Sequence, residues 1–160
     1  MSWRTDLHLD LRFSDLLAIY RAELLQRTIP FWMQHAIYLR HGGILTCISD
    51  EGQMLSSDKN IWSQLSAILT FRALYNTIDE LSDWLDVAWY IFDFVKKFGR
   101  DQDGRWVFAV DEQGHVLEGA TSIYAGGFAI YGLTELARAT GEKEVIDLAL
   151  ETYANVQQQL

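Results

Sequence analysis

Sliding the sequence 62 positions along itself brings Gly52 onto Gly114, Leu55 onto Leu117, Ile61 onto Ile123 and Trp62 onto Tyr124. Ile48 then meets Val110, Met54 meets Val116 and Ile68 meets Ile130. A period of this length marks a supersecondary unit that cannot bury its apolar face alone and must stack on its neighbours. The chain of 160 residues holds about two and a half such units. Arrays of paired helices commonly close into a ring of six pairs, which at this spacing takes about 370 residues. The chain is therefore expected to be a piece of a larger toroid, or to have its open end covered by another chain or by self-association.

Each unit reads as a β-hairpin followed by two helices. A first helix is predicted from Phe13 to Ala36, with Ser14 or Asp15 as N-cap and with Pro30, the only proline, ending or kinking it. Strands flanking Asp50-Glu51-Gly52 form the first hairpin, and strands over 105–110 and Val116-Leu117 flanking Glu112-Gln113-Gly114 form the second. After the first hairpin a helix is predicted from Lys59 to Tyr75, capped by Ser57 or Asp58. Another runs from Glu80 to Phe98, with Gly99 as its C′ residue. That helix is apolar nearly all round, which predicts enclosure by its neighbours. Two helices close the chain, Thr121 to Thr140 and Glu142 to Gln158, parted by Gly141, and the last carries Val145, Leu148, Ala149, Thr152 and Val156 on one stripe. No linker divides the chain, so a single domain over 1–160 is expected.

Charge and composition narrow the partners. A net charge of −9 repels phosphate backbones and anionic lipid, which argues against nucleic-acid and membrane-surface binding. The densest apolar run, Val87 to Phe92, is far short of the roughly 18 residues a membrane span needs. A lone cysteine, Cys47, excludes an internal disulfide and a cysteine-cluster metal site, and reads as a buried small hydrophobe in a reducing cytoplasm. Six Trp, seven Tyr and eight Phe exceed what a core of this size requires, and such rings often line ligand clefts.

An ordered set of motifs carries a resemblance. Pro30-Phe31-Trp32 with His35, Gly42-Gly43, the Asp50-Glu51-Gly52 turn, Asp58-Lys59, Trp62, Gln64, Thr70-Phe71 and Leu74-Tyr75 come first. Arg105-Trp106-Val107-Phe108, Gly114, Tyr124, Phe128, Gly132-Leu133, Glu135-Leu136 and Ala139-Thr140-Gly141 follow in the same order. Together they resemble the N-acylglucosamine 2-epimerase superfamily, from about Ile29 to Tyr153. The resemblance implies an all-α (α/α)6 barrel, of which this chain is the N-terminal part, a central sugar-binding cleft, and epimerisation or aldose–ketose isomerisation by proton transfer at C2. No cofactor and no metal are expected: His35 and His41, six apart, would stand about 120° from each other round a helix and do not make a metal pair.

Proton transfer next to a carbonyl needs a base near neutral pKa, an acid on the opposite face and a donor for the developing enolate. In the family two histidines serve as acid and base, in motifs of the second half of the barrel. His8, His35, His41 and His115 fall outside those motifs, so no catalytic residue is expected here. His35 reads as structural, His41 and His115 as exposed hairpin residues. The resemblance places Trp62, Ser66 and Tyr124 on the cleft as substrate-binding positions. Stacking on a sugar and packing in a core both fit Trp62 and Tyr124. At Ser66 the family carries an arginine, and Leu69 stands where a second aromatic is usual. Arg72 lies about 120° round the helix from Ser66 and does not replace that cation. Asp50, Glu51, Asp111 and Glu112 read as turn formers. A second reading is a non-catalytic helical module that works by self-association or by binding another protein.

Overall fold

The computed structural model describes residues 12–160, which group into two compact units divided between Gln34 and His35. The predicted helix forms in three segments: α1 (Phe13–Glu23), a π-helical turn (Leu24–Thr28) and α2 (Ile29–His35). Pro30 does not end the helix. The Ile29 N–H donates to Leu24 O, five residues back, and this wider turn sits where a proline ring collides with the preceding turn and its N–H is missing. The N-cap is Arg12, not Ser14 or Asp15; Asp15 sits three residues on and its carboxylate accepts the Arg12 N–H at 3.1 Å.

The second unit contains both hairpins. β1 (Cys47–Ile48) pairs with β2 (Met54–Ser56), and β4 (Ala109–Val110) pairs with β5 (Val116–Glu118). The period of 62 reaches individual bonds. Ser49 N–H donates to Gln53 O at 2.8 Å and Gly52 N–H to Ser49 O at 2.9 Å, while Asp111 N–H donates to His115 O at 2.9 Å and Gly114 N–H to Asp111 O at 3.1 Å. Both hairpins bulge at the same step, with Ile48 opposite Met54 and Val110 opposite Val116. Gly52 and Gly114 both adopt left-handed backbone, at φ 81° and 94°.

Residues Lys59–Asn60, read from sequence as the start of a helix, instead form β3, which pairs with β4 and ties the first repeat to the second hairpin. The helix after them, α3 (Ile61–Thr77), is capped by Asn60, not by Ser57 or Asp58. Its first N–H, from Ile61, is satisfied by Phe108 O at 2.9 Å.

Helix α4 (Ser82–Phe98) returns along α3, since Gly43 stands against both Gln64 near the start of α3 and Phe94 near the end of α4. Its buried residues Trp84, Ala88, Ile91, Phe92, Phe94 and Val95 define one side, while Leu85, Val87 and Trp89 stay partly exposed, so the expected enclosure on all sides does not occur. Gly99 closes α4 in ordinary right-handed geometry at φ −81°, not as a left-handed C′ residue. What requires glycine there is space: a Cβ would lie 2.6 Å from Val95 O and 2.8 Å from the Trp106 ring.

The second repeat copies the first. α5 (Tyr124–Thr140) lies beside α3 and runs parallel to it, because Trp62 meets Tyr124, Leu65 meets Gly132 and Asn76 meets Glu135 in order along both. The close approach depends on Gly132, where a Cβ would come within 2.6 Å of Leu65 O. Ile61, Leu65, Ile68, Ala129, Leu133 and Leu136 are fully buried. After Gly141, left-handed at φ 68°, α6 (Lys143–Gln158) folds back along α5 and buries Val145, Leu148 and Thr152 of the predicted stripe. Thr152 Oγ1 accepts the Trp106 indole N–H at 3.1 Å.

Candidate functional site

Two hairpins feeding two parallel helices bring the first turns of α3 and α5 side by side. Trp62 and Tyr124 occupy those turns, with ring centroids 5.7 Å apart and planes at 66°. Phe128, one helical turn beyond Tyr124, completes a cluster at 5.6 Å from Trp62 and 5.1 Å from Tyr124. Phe128 belongs to the motif string but not to the expected site residues; its i, i+4 spacing from Tyr124 is the sequence signal that sets it beside that ring. Tyr124 remains 51% exposed despite its two aromatic neighbours, so the cluster keeps an open ring and a phenol tip.

Ser66 follows one turn after Trp62, half-buried, and its carbonyl accepts the Thr70 hydroxyl at 2.9 Å. No guanidinium reaches this position from Arg72. That side chain is fully buried, lies 4.4 Å over the Tyr75 ring, and has no hydrogen-bond acceptor for its three nitrogens. Burial pushes its pKa down, against the pull of Tyr75 and Glu135. Glu135 is engaged elsewhere, accepting Asn76 Nδ2 at 2.7 Å and pairing with Arg138 at 3.0 Å.

The three described histidines lie at the hairpins, His35 against the first and His41 and His115 against the second. His8 lies outside the described residues. The His35 ring fills the space beside Gly52, where a Cβ would meet it at 2.2 Å. His41 is half-buried, not exposed as expected, and its Nε2 stands 3.7 Å from Glu112 Oε1. His115 is exposed and pairs with Asp111 at 2.8 Å. Among the described residues no group of three or more His, Cys, Asp or Glu is placed to hold a metal ion. The turn carboxylates behave largely as turn formers: Asp111 Oδ1 accepts the N–H groups of Gln113 and His115, both at 2.9 Å. Ser49 Oγ plays the matching part in the first hairpin. Cys47 is exposed on β1, which corrects the expectation of a buried thiol. Among the described residues no helix is long and apolar enough to cross a membrane.

A hairpin, an inner helix and an outer helix, repeated so that the inner helices lie parallel with aromatic rings at their starts, define a segment of an (α/α)6 barrel. Residues 33–160 match the family described as N-acylglucosamine 2-epimerase, and the chain belongs to that family. Human N-acylglucosamine 2-epimerase is 29% identical over 122 residues, covering 74% of this chain and 29% of the relative. Cellobiose 2-epimerase of Bacteroides fragilis is 28% identical over 139 residues, covering 84% of this chain and 35% of the relative. Among solved structures, cellobiose 2-epimerase from Spirochaeta thermophila superposes with TM-score 0.81 at 22% identity, covering 91% of this chain and 36% of that one. A D-mannose isomerase superposes with TM-score 0.79 at 18% identity, covering 88% of this chain and 35% of that one. The chain thus spans about a third of the length of the proteins it matches.

Proposed function

We propose that these residues form the N-terminal portion of a sugar 2-epimerase or isomerase of the (α/α)6 type, as one domain, and that they line part of its cleft with Trp62, Tyr124 and Ser66. The observation that carries this reading is the cluster of Trp62, Tyr124 and Phe128, which offers flat apolar rings beside a phenol where two inner helices begin. Such a surface suits the C–H face of a neutral sugar ring, with hydroxyl partners at Tyr124 and Ser66. The reading places the acid and base of proton transfer in the remainder of the barrel. Support comes from the fraction of the relatives' length that is spanned and from His41 and His115, which pair with Glu112 and Asp111. It also sets the protein in the cytoplasm, where the exposed Cys47 stays a thiol.

Two measurements test this. Saturation-transfer NMR with cellobiose, mannose and N-acetylmannosamine should show sugar protons in contact with the 160-residue chain, and Trp62→Ala should weaken that contact about tenfold. The same chain should exchange no C2 proton of these sugars with deuterated solvent; measured exchange would refute the placement of the acid and base elsewhere.

A second reading, a non-catalytic module that self-associates, draws on one surface. Ile146, Leu150 and Tyr153 stand exposed on α6 at i, i+4 and i+7. Sedimentation velocity should then reveal concentration-dependent association that Leu150→Glu abolishes. A strictly monomeric chain across the micromolar range rejects this reading.

A further inference from the structure

Among the described lysines only Lys59 is fully buried. Its ammonium lies 4.4 Å from the Tyr38 ring centroid and 5.2 Å from that of Phe94, and donates to Ser57 O at 3.3 Å. Burial pushes its pKa down, while the negative charges of Glu112, Asp111 and Asp58 pull the other way. This buried primary amine touches α4 through Phe94 and a short loop through Tyr38. Tyr38 N–H donates to Gly43 O and Gly42 N–H to Tyr38 O, both at 3.0 Å, so residues 38–43 form a closed turn with the Tyr38 ring on its Lys59 side.

Two contacts tie that turn to distant parts of the chain. Tyr90 on α4 donates its hydroxyl to Tyr38 O at 2.8 Å. The Tyr38 hydroxyl in turn donates to Glu112 Oε2 at 2.5 Å, across 74 residues, at the tip of the second hairpin. Gln113 Nε2 steadies the other carboxylate oxygen at 2.8 Å. A hydrogen bond to a carboxylate is the stronger of these ties.

We propose that the Tyr38–Glu112 hydrogen bond is a latch: while it holds, the 38–43 loop seals the Lys59 amine from solvent, and when it opens that amine is presented for acylation with the helices intact. The charges facing the latch are Arg40 and His41 from the loop, Lys59 from β3, and Asp111 beside Glu112, with the Tyr90 phenol facing it from α4. The Tyr38 hydroxyl, followed by the charges of Arg40, His41 and Lys59, holds the Glu112 carboxyl below its ordinary range despite partial burial. A carboxyl with a depressed folded pKa stabilises the closed state above its unfolded value and loses that contribution as pH falls through the folded one. Glu112 and burial raise the Tyr38 phenol, so it remains a donor through neutral pH.

The test reads the amine directly. Acetylation with N-hydroxysuccinimidyl acetate at pH 8 forms an amide at Nζ; N-hydroxysuccinimide leaves with the bonding pair and the amine proton passes to buffer. Peptide mapping should find Lys59 far slower than exposed Lys97 and Lys143 in the unaltered chain. Tyr38→Phe and Glu112→Gln should each speed Lys59 about tenfold, the loss of one charge-assisted hydrogen bond, with helical circular dichroism unchanged. Equal reactivity of Lys59 and Lys143 in the unaltered chain, or a Lys59 still sealed in both variants, overturns the latch. If either variant does not fold, amide exchange on the unaltered chain decides. Corrected for intrinsic rates, exchange at Tyr38 and Gly42 should quicken as pH falls through the carboxylate range, while Ile44, whose N–H is held by Gln64 at 2.8 Å, stays protected. Unchanged protection at Tyr38 and Gly42 overturns it equally.

Discussion

Gly114→Ala should cost the fold about 3 kcal/mol, read as a fall in the urea midpoint at unchanged slope. Two penalties act together. The backbone at this position is left-handed, at φ 94°, where a side chain costs about 1–2 kcal/mol. A Cβ would also sit 2.1 Å from the Phe98 ring, which is itself packed against Phe94 at 5.2 Å between centroids and cannot swing freely. Gly119→Ala is the control: nothing lies within 4 Å of its Cβ position, and its stability should stay within about 0.5 kcal/mol of the unaltered chain. A Gly114→Ala loss no larger than that of the control would show that the turn does not need its glycine.

Gly132→Ala should destabilise by about 2 kcal/mol, against the direction that helix propensity predicts. In a helix interior alanine is favoured over glycine by about 1 kcal/mol. At Gly132, however, the added methyl meets Leu65 O at 2.6 Å and Ile68 Cβ at 3.6 Å. Backbone on a neighbouring helix cannot yield as a flexible side chain does, so the steric term exceeds the gain. Gly127 lies in the same helix with nothing within 4 Å of its Cβ position, and Gly127→Ala should stabilise by about 1 kcal/mol. Thermal unfolding of the pair separates the two contributions. If Gly132→Ala and Gly127→Ala shift the midpoint in the same direction, α3 and α5 do not approach as closely as described.

The repeat was legible because both hairpins depend on the same local chemistry. A glycine at φ above 80° and an oxygen three residues before it, Ser49 Oγ or Asp111 Oδ1, close each turn, and such residues stand out in a sequence. The stripe of α6 was legible for the same reason, since its buried residues recur at a helical period. The features that local sequence does not reveal depend on partners far along the chain. Lys59 and Asn60 look like the start of a helix until Val110 and Ala109 arrive to pair with them. Which face of β1 carries Cys47 to solvent is likewise set by packing, not by the two residues of the strand. The rings of the candidate site could be paired through the 62-residue shift, yet the part played by Phe128 needed the distance between two helices.

The strand formed by Lys59 and Asn60 has a consequence for how the chain comes apart. Because it ladders onto the following hairpin, while the Ile61 amide hangs on Phe108, each repeat is fastened chiefly to its immediate neighbour. Stability in such an arrangement is transmitted from link to link, as in a zip fastener, so that loosening one repeat loosens the next.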